Sequence, residues 1–300
     1  DAYPRGHVVD DEPSPFTAQL DHARRLYAQR REILQIAADL TPGSLREETD
    51  GVLSLLEKRP DDDLLRWTTG NLLGAANWWR EAAAQFEILI ARFPGHPELL
   101  AALGRCRLAQ DRREEAESLF DRAVERTANR LEMQLSIAAT LVAAGHLESG
   151  TERLYRALDI DPEAPSVHSL LGDVLIQQQR PAEAVTHFEQ ALHRAPYDSE
   201  TRMKLGVALL MLGNASAART VLTETVQDDP YSAAAYLNLA RACISLQRAD
   251  EAVHAAERAR ELASRDDPHF LAVCAEACRL AGRTNDAKGE SSKLSVQSSK

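Results

Sequence analysis

The sequence predicts an all-α solenoid of stacked antiparallel helix pairs, on three observations. Small residues recur every 34 positions, at Gly70, Gly104, Ala138, Gly172, Gly206 and Ala240, and in the same register at Ala82, Ala116, Gly150, Ala184, Ala218 and Ala252. A comb of larger residues runs Phe86, Phe120, Leu154, Phe188, Leu222 and Ala256, and a comb of stops runs Pro94, Ala128, Pro162, Pro196, Pro230 and Ser264. Between stops the apolar residues fall at helical spacing, as in Leu171, Val174 and Leu175, then Ala184, Phe188, Ala191 and Leu192. A repeating unit of this size cannot bury its apolar face alone, so neighbours must stack and share a continuous core.

The elements follow in order. Residues 1–15 are polar, with Pro4, Pro13, Pro15 and the acidic run Asp10, Asp11 and Glu12, and read as a flexible arm. Residues 16–62 read as a degenerate first helix pair: an amphipathic stretch from Phe16 to Leu40, a stop at Thr41, Pro42 and Gly43, then a second helix from Leu45 to Lys58. Six repeats are expected at 63–96, 97–130, 131–164, 165–198, 199–232 and 233–266. Short turns such as Gln178 to Pro181 make each pair antiparallel, and a proline stop such as Arg194, Ala195, Pro196 closes each repeat. After Ser264 the register slips by one residue. Residues 267–288 read as a partial terminal repeat whose first helix carries Leu271, Cys274, Ala275, Cys278 and Leu280. The Ser/Lys-rich segment 289–300 is expected to be disordered.

Composition narrows the function classes. Aromatics are only 5% of the 300 residues, so the interior must rest on Ala and Leu, which suits close helix stacking. A net charge of −11 repels phosphate backbones and anionic lipid, which argues against nucleic acid and membrane surfaces, and no apolar run approaches the length that membrane insertion needs. No HExxH pattern, glycine-rich phosphate loop or G-x-S-x-G motif occurs, so no enzyme activity and no cofactor are expected. Cys243, Cys274 and Cys278 could lie near one another, which would suit a metal or redox site, but no fourth ligand is evident and small core residues are the expectation. With Cys106 they lack secreted-framework spacing, which favours the cytoplasm; the chain opens at Asp1 rather than Met and reads as a processed piece, which leaves the periplasm open if a leader was removed.

The combs resemble the tetratricopeptide repeat family. The best single match is Pro165 to Asp198, where His168 stands at the family's Trp place, Leu171 and Gly172 form its Leu-Gly pair, and Ala184, Phe188, Ala191 and Pro196 complete the pattern. Arg66, Gln134 and Arg202 depart from the early aromatic, and Arg107 from another, which leaves local packing open there. The resemblance implies a right-handed superhelix with first helices lining a concave groove that binds an extended or helical segment of another protein. The groove candidates are then Trp67, Asn71, Arg105, Leu135, Leu170, Asp173, Met203, Lys204, Val207, Asn238 and Arg241. Leu135, Val142, Leu170, Met203 and Val207 would make its centre apolar. The carboxylate grip of some family members is not expected, because Asn71 matches but Ala102 and Ser136 do not. Trp78 is either an exposed contact anchor or a cover for the degenerate first pair.

Three functions remain: a non-enzymatic scaffold or adaptor holding a protein segment, a docking or regulatory region of a larger enzyme, or a self-assembling protein that associates end to end through 268–282. The last rests on an apolar terminal helix without a closing partner.

Overall fold

A computed structural model of the chain describes residues 51, 53–263 and 267–282. The expected arm at 1–15, the first helix of the degenerate pair and the tail at 289–300 lie outside the described residues. Residues 53–58 are helical. Then follow α1 (Asp63–Ala75), α2 (Trp79–Arg92), α3 (Pro97–Ala109), α4 (Arg113–Arg126), α5 (Arg130–Ala143), α6 (Leu147–Leu158) and α7 (Pro165–Gln177). The chain continues through α8 (Pro181–Arg194), α9 (Ser199–Met211), α10 (Ala215–Asp228), α11 (Ala233–Ser245), α12 (Ala249–Leu262) and α13 (Pro268–Leu280). The fold class is all-α. The chain divides into two compact units, Asp1–Met133 and Gln134–Lys300.

Local chemistry starts and stops each helix. Pro97, Pro165 and Pro268 open α3, α7 and α13, where a missing N–H costs nothing. Asp62, Asp198, Ser232 and Asp267 accept from backbone N–H groups at the starts of α1, α9, α11 and α13. The first helix of each pair ends in a Schellman turn. At the end of α1 the Trp78 N–H donates to the Leu73 carbonyl at 2.8 Å and the Asn77 N–H to Gly74 at 3.0 Å, with Asn77 at φ +63°. The long bond recurs from Arg112 to Arg107, His146 to Leu141, Arg180 to Leu175, Asn214 to Leu209 and Arg248 to Cys243, at 2.8 to 2.9 Å. The left-handed residue of these turns is Asp111, Gly145, Gln179, Gly213 and Gln247 in order.

Each hairpin closes on a small residue facing a large one. A Cβ added at Gly70 would lie 2.7 Å from the Phe86 ring, at Gly104 2.5 Å from Phe120, and at Gly172 2.4 Å from Phe188. All three rings are buried, and burying each contributes about 1.5–3 kcal/mol. Where the facing residue shrinks to Leu154 or Ala256, the small comb carries Ala138 and Ala240. In unit 1, Leu73, Phe86, Leu89, Leu99, Leu100 and Cys106 form one core. In unit 2, one cluster forms around Leu175, Phe188, Leu205 and Leu222, and another around Cys243, Ala256, Val273 and Cys274.

Two of the three positions that depart from the family's early aromatic, together with His168 in the same column, act as polar struts. Arg66 donates to the Pro60 carbonyl at 2.5 Å and to Gln85 Oε1 at 2.7 Å. Arg202 donates to the Pro196 carbonyl and to Asp228. His168 reaches the Pro162 carbonyl at 2.9 Å and His187 at 3.0 Å. Each side chain ties the loop proline six residues earlier to the second helix of its own pair. An aromatic there would fill space; a strut instead satisfies a loop carbonyl that the hairpin partly shields from water.

The second helix of one pair also packs on the first helix of the next, as α8 does on α9, α10 on α11 and α12 on α13. The first helices α7, α9, α11 and α13 touch in sequence. Unit 2 therefore presents them side by side.

Candidate functional site

In unit 1 the candidates sit on α1 and α3. Trp67 is half-buried and meets Phe86 edge to face, centroids 5.4 Å apart. Asn71 donates to the Trp67 carbonyl at 2.9 Å and accepts from Arg105 across one repeat at 3.5 Å. Trp78 is half-buried and packs on the core of unit 1, lining a cleft with Leu53, Leu73, Ala84 and Gln85.

Unit 2 brings its candidates together on α7 and α9. Leu170, Met203 and Val207 are each half-buried, and Leu135 is half-buried on α5. Between the apolar residues runs a charged seam. The Lys204 ammonium lies 2.8 Å from Asp173 Oδ2 and 2.9 Å from Glu200 Oε1. Ser169 and Thr201 share a hydrogen bond of 2.8 Å beside it, and the Thr201 hydroxyl donates to Asp198 at 2.6 Å.

Burial pushes the Asp173 carboxyl above its ordinary value, against the pull of Lys204. Burial would push Lys204 down, but its bonds to Asp173 and Glu200 carry it up. The lysine gains from the contact while the aspartate loses to desolvation. We weight the net as small, at most about 1 kcal/mol, since both side chains stay a quarter or more exposed, at 25% and 30%. The seam thus fixes α7 to α9 in register more than it stabilises them.

Asn238 is the candidate that differs from the expectation of an open groove position. It is only 8% exposed; its amide donates to the Ala234 carbonyl at 3.0 Å and its oxygen accepts from Arg241 at 3.3 Å, so its polar groups are spent inside the helix. Arg241 itself is exposed, as is Arg105. Ala102, at a place where the carboxylate grip would need a polar side chain, is buried on α3.

The four cysteines are buried and none forms a disulfide. Cys274 donates to the Ala256 carbonyl at 3.3 Å, and burial raises Cys243 and lifts Cys106 to about 11, which keeps both as unreactive thiols. Among the described residues no group of three or more His, Cys, Asp or Glu is placed to hold a metal ion. Nor is any described helix long and apolar enough to cross a membrane. The sequence reading passed over the contact of His168 with His187. Its signal is an offset: His187 follows His168 by 19 positions, as Gln85 follows Arg66.

A row of first helices, with half-exposed apolar residues set around neutralised charge, defines a helical-repeat interaction scaffold. The chain belongs to the tetratricopeptide repeat family: two models of that repeat match residues 68–130 and 135–199, and 175–226 and 209–277. It is 34% identical over 126 residues to human Tetratricopeptide repeat protein 34, a match covering 42% of this chain and 22% of that protein. The chain thus spans about a fifth of that relative's length. Among solved structures it resembles PilW, a type IV pilus biogenesis factor, with a TM-score of 0.56, 17% identity and coverage of 67% and 92% of the two chains. A tetratricopeptide protein from Cytophaga hutchinsonii aligns with a TM-score of 0.56 and 15% identity, over 77% of this chain and 92% of that one. MamA from Desulfovibrio magneticus aligns with a TM-score of 0.52 and 19% identity, over 55% and 93%. At these identities the solved structures speak to fold alone.

Proposed function

We propose that this chain is a non-catalytic scaffold whose first-helix face in unit 2 holds an amphipathic or extended segment of another protein. The observation that carries this reading is the pairing of surfaces on α7 and α9. Leu170, Met203 and Val207 keep part of their apolar surface in solvent, while Lys204, Asp173 and Glu200 neutralise one another beside them. Such a face gains by burying apolar area and loses little by stripping water from unpaired charge. A segment with apolar side chains on one side fits it, and the carboxylate of a chain terminus does not, because the Lys204 ammonium is already committed. The acidic balance of the chain also disfavours nucleic acid.

The variant Met203→Glu with Val207→Glu tests this reading in the full chain. It is expected to keep its helicity by circular dichroism and to lose, in affinity capture read by mass spectrometry, the proteins that the wild type retains. Unchanged capture by a folded variant rejects the site.

A docking region within a larger protein is the second reading, supported by the small fraction of the human relative that this chain spans. End-to-end association through 268–282 has less support. On α13 Leu271 is fully buried, Phe270 and Leu280 are half-buried, and the exposed positions are Pro268, His269, Ala272, Glu276 and Arg279. That surface offers no large exposed apolar side chain to a second copy.

A further inference from the structure

The strut joining α7 and α8 differs from its counterparts because both of its side chains are imidazoles, which can gain or lose a proton at either ring nitrogen. The Pro162 carbonyl can only accept, so the His168 Nε2 at 2.9 Å carries a proton. The neutral ring then presents a bare Nδ1, and the His187 Nδ1 at 3.0 Å must be the donor. The two rings lie 5.3 Å apart between centroids, at an interplanar angle of 26°. A first proton, taken at the His187 Nε2, leaves both bonds in place; a second, on the His168 Nδ1, would set N–H against N–H across that gap. The equivalent place is held by Arg66 in unit 1 and by Arg202 on α9, and a guanidinium does not lose its proton in this range.

We propose that His168 and His187 form a proton-sensitive latch, which ties α7 and its preceding loop to α8 while the His168 Nδ1 stays bare and lets go when acidification protonates both rings.

The surroundings favour the neutral pair. Tyr155 on α6 places its ring 6.5 Å from His187, and the same helix carries the buried Arg153. On α8, Glu183 is held by Arg180 at 2.6 Å. A cleft of about 330 Å³ reaches His168 and is lined by Glu163, Glu189, His193 and Arg194, with Arg194 paired to Glu163. On α9, Glu200 and Lys204 pair with each other, and Arg202 is engaged with Asp228. No carboxylate among these contacts the imidazole pair directly, while the cleft lets protons arrive. Burial, and then the charge His168 would carry, hold His187 below the ordinary imidazole value, against weaker pulls from Gln190 and Glu183. The sign follows. A folded value below the unfolded one gives stability that is complete above the unfolded value of about 6.5 and is lost as pH falls through the folded value.

The double variant His168→Arg with His187→Gln transplants the Arg66 and Gln85 strut into this hairpin. Urea denaturation of the full chain at pH 7.5 and 5.0 should show the wild-type folding equilibrium constant falling at least about tenfold further than that of the variant. An equal fall in both overturns the latch. Nitrogen-15 spectra of the wild-type imidazoles decide independently, including when the variant does not fold. The proposal requires an Nε2–H tautomer on His168, an Nδ1–H tautomer on His187, and loss of that pattern on acidification. Two rings titrating as free imidazoles refute it. The latch does not depend on which face binds a partner.

Discussion

Gly172 and Phe188 share one fixed volume: a Cβ on the glycine would fall 2.4 Å from a ring that is itself fully buried. Gly172→Ala gains about 1 kcal/mol of helix propensity but overpacks the hairpin by about 1–3 kcal/mol, and we expect a net loss of stability in urea denaturation. Gly172→Ala combined with Phe188→Leu reproduces the native Ala138 and Leu154 pairing. It should show a favourable coupling of at least about 0.5 kcal/mol in a double-mutant cycle. This complementarity was legible in the sequence, because each Phe of the large comb stands opposite a Gly of the small one, while the smaller Leu and Ala stand opposite Ala138, Gly206 and Ala240. The His168 and His187 pair was not, since nothing in either residue alone distinguishes a strut from a packed ring. Asp198 shows the same scale in its electrostatics. Burial would raise its carboxyl, but bonds from the Thr201 hydroxyl and from the Thr201 and Glu200 N–H groups hold it below the ordinary value. Its contribution is therefore present above about pH 4 and fades as the pH falls further. Asp198→Ala should cost about 1 kcal/mol at pH 7, whereas Asp198→Asn should keep most of the cap and lose its pH dependence.

Hairpins add a constraint that no single residue announces. Their turns need a left-handed residue, met by glycine at Gly145 and Gly213 but by glutamine at Gln179 and Gln247, with φ of +60° and +58°. A side chain costs about 1–2 kcal/mol in that conformation. Gln179→Gly and Gln247→Gly should each raise the urea midpoint, for a gain in stability of roughly 0.5–1 kcal/mol once the looser unfolded chain is allowed for. A lowered midpoint would mean that the glutamine side chains do more than close the turn. The turn positions could be read from the interval to Gly145 and Gly213, although the local composition around Gln179 gives no hint of positive φ. The helix faces were harder to read. Met203 and Val207 keep some solvent exposure, but Asn238 and Ala102 are buried. A side chain's fate on a first helix depends on how closely the neighbouring first helix approaches, and a sequence periodicity of one helix does not contain that distance.

For the molecule as a whole, the all-α repeat class follows from combs that run through both compact units, and it is the part of the fold most fully written in the sequence. A globular core would have scattered the same glycines and phenylalanines without a period. Binding is a less periodic property, set by which few positions on α7 and α9 stay apolar and uncharged in sum. The most direct measurement of that claim is photo-crosslinking from a benzoylphenylalanine placed at Met203, compared in the same cells with one at Thr220, which is exposed on the second helix α10. The account predicts a discrete adduct with another polypeptide from position 203 and none from position 220; adducts from 220 alone, or from neither, would contradict it.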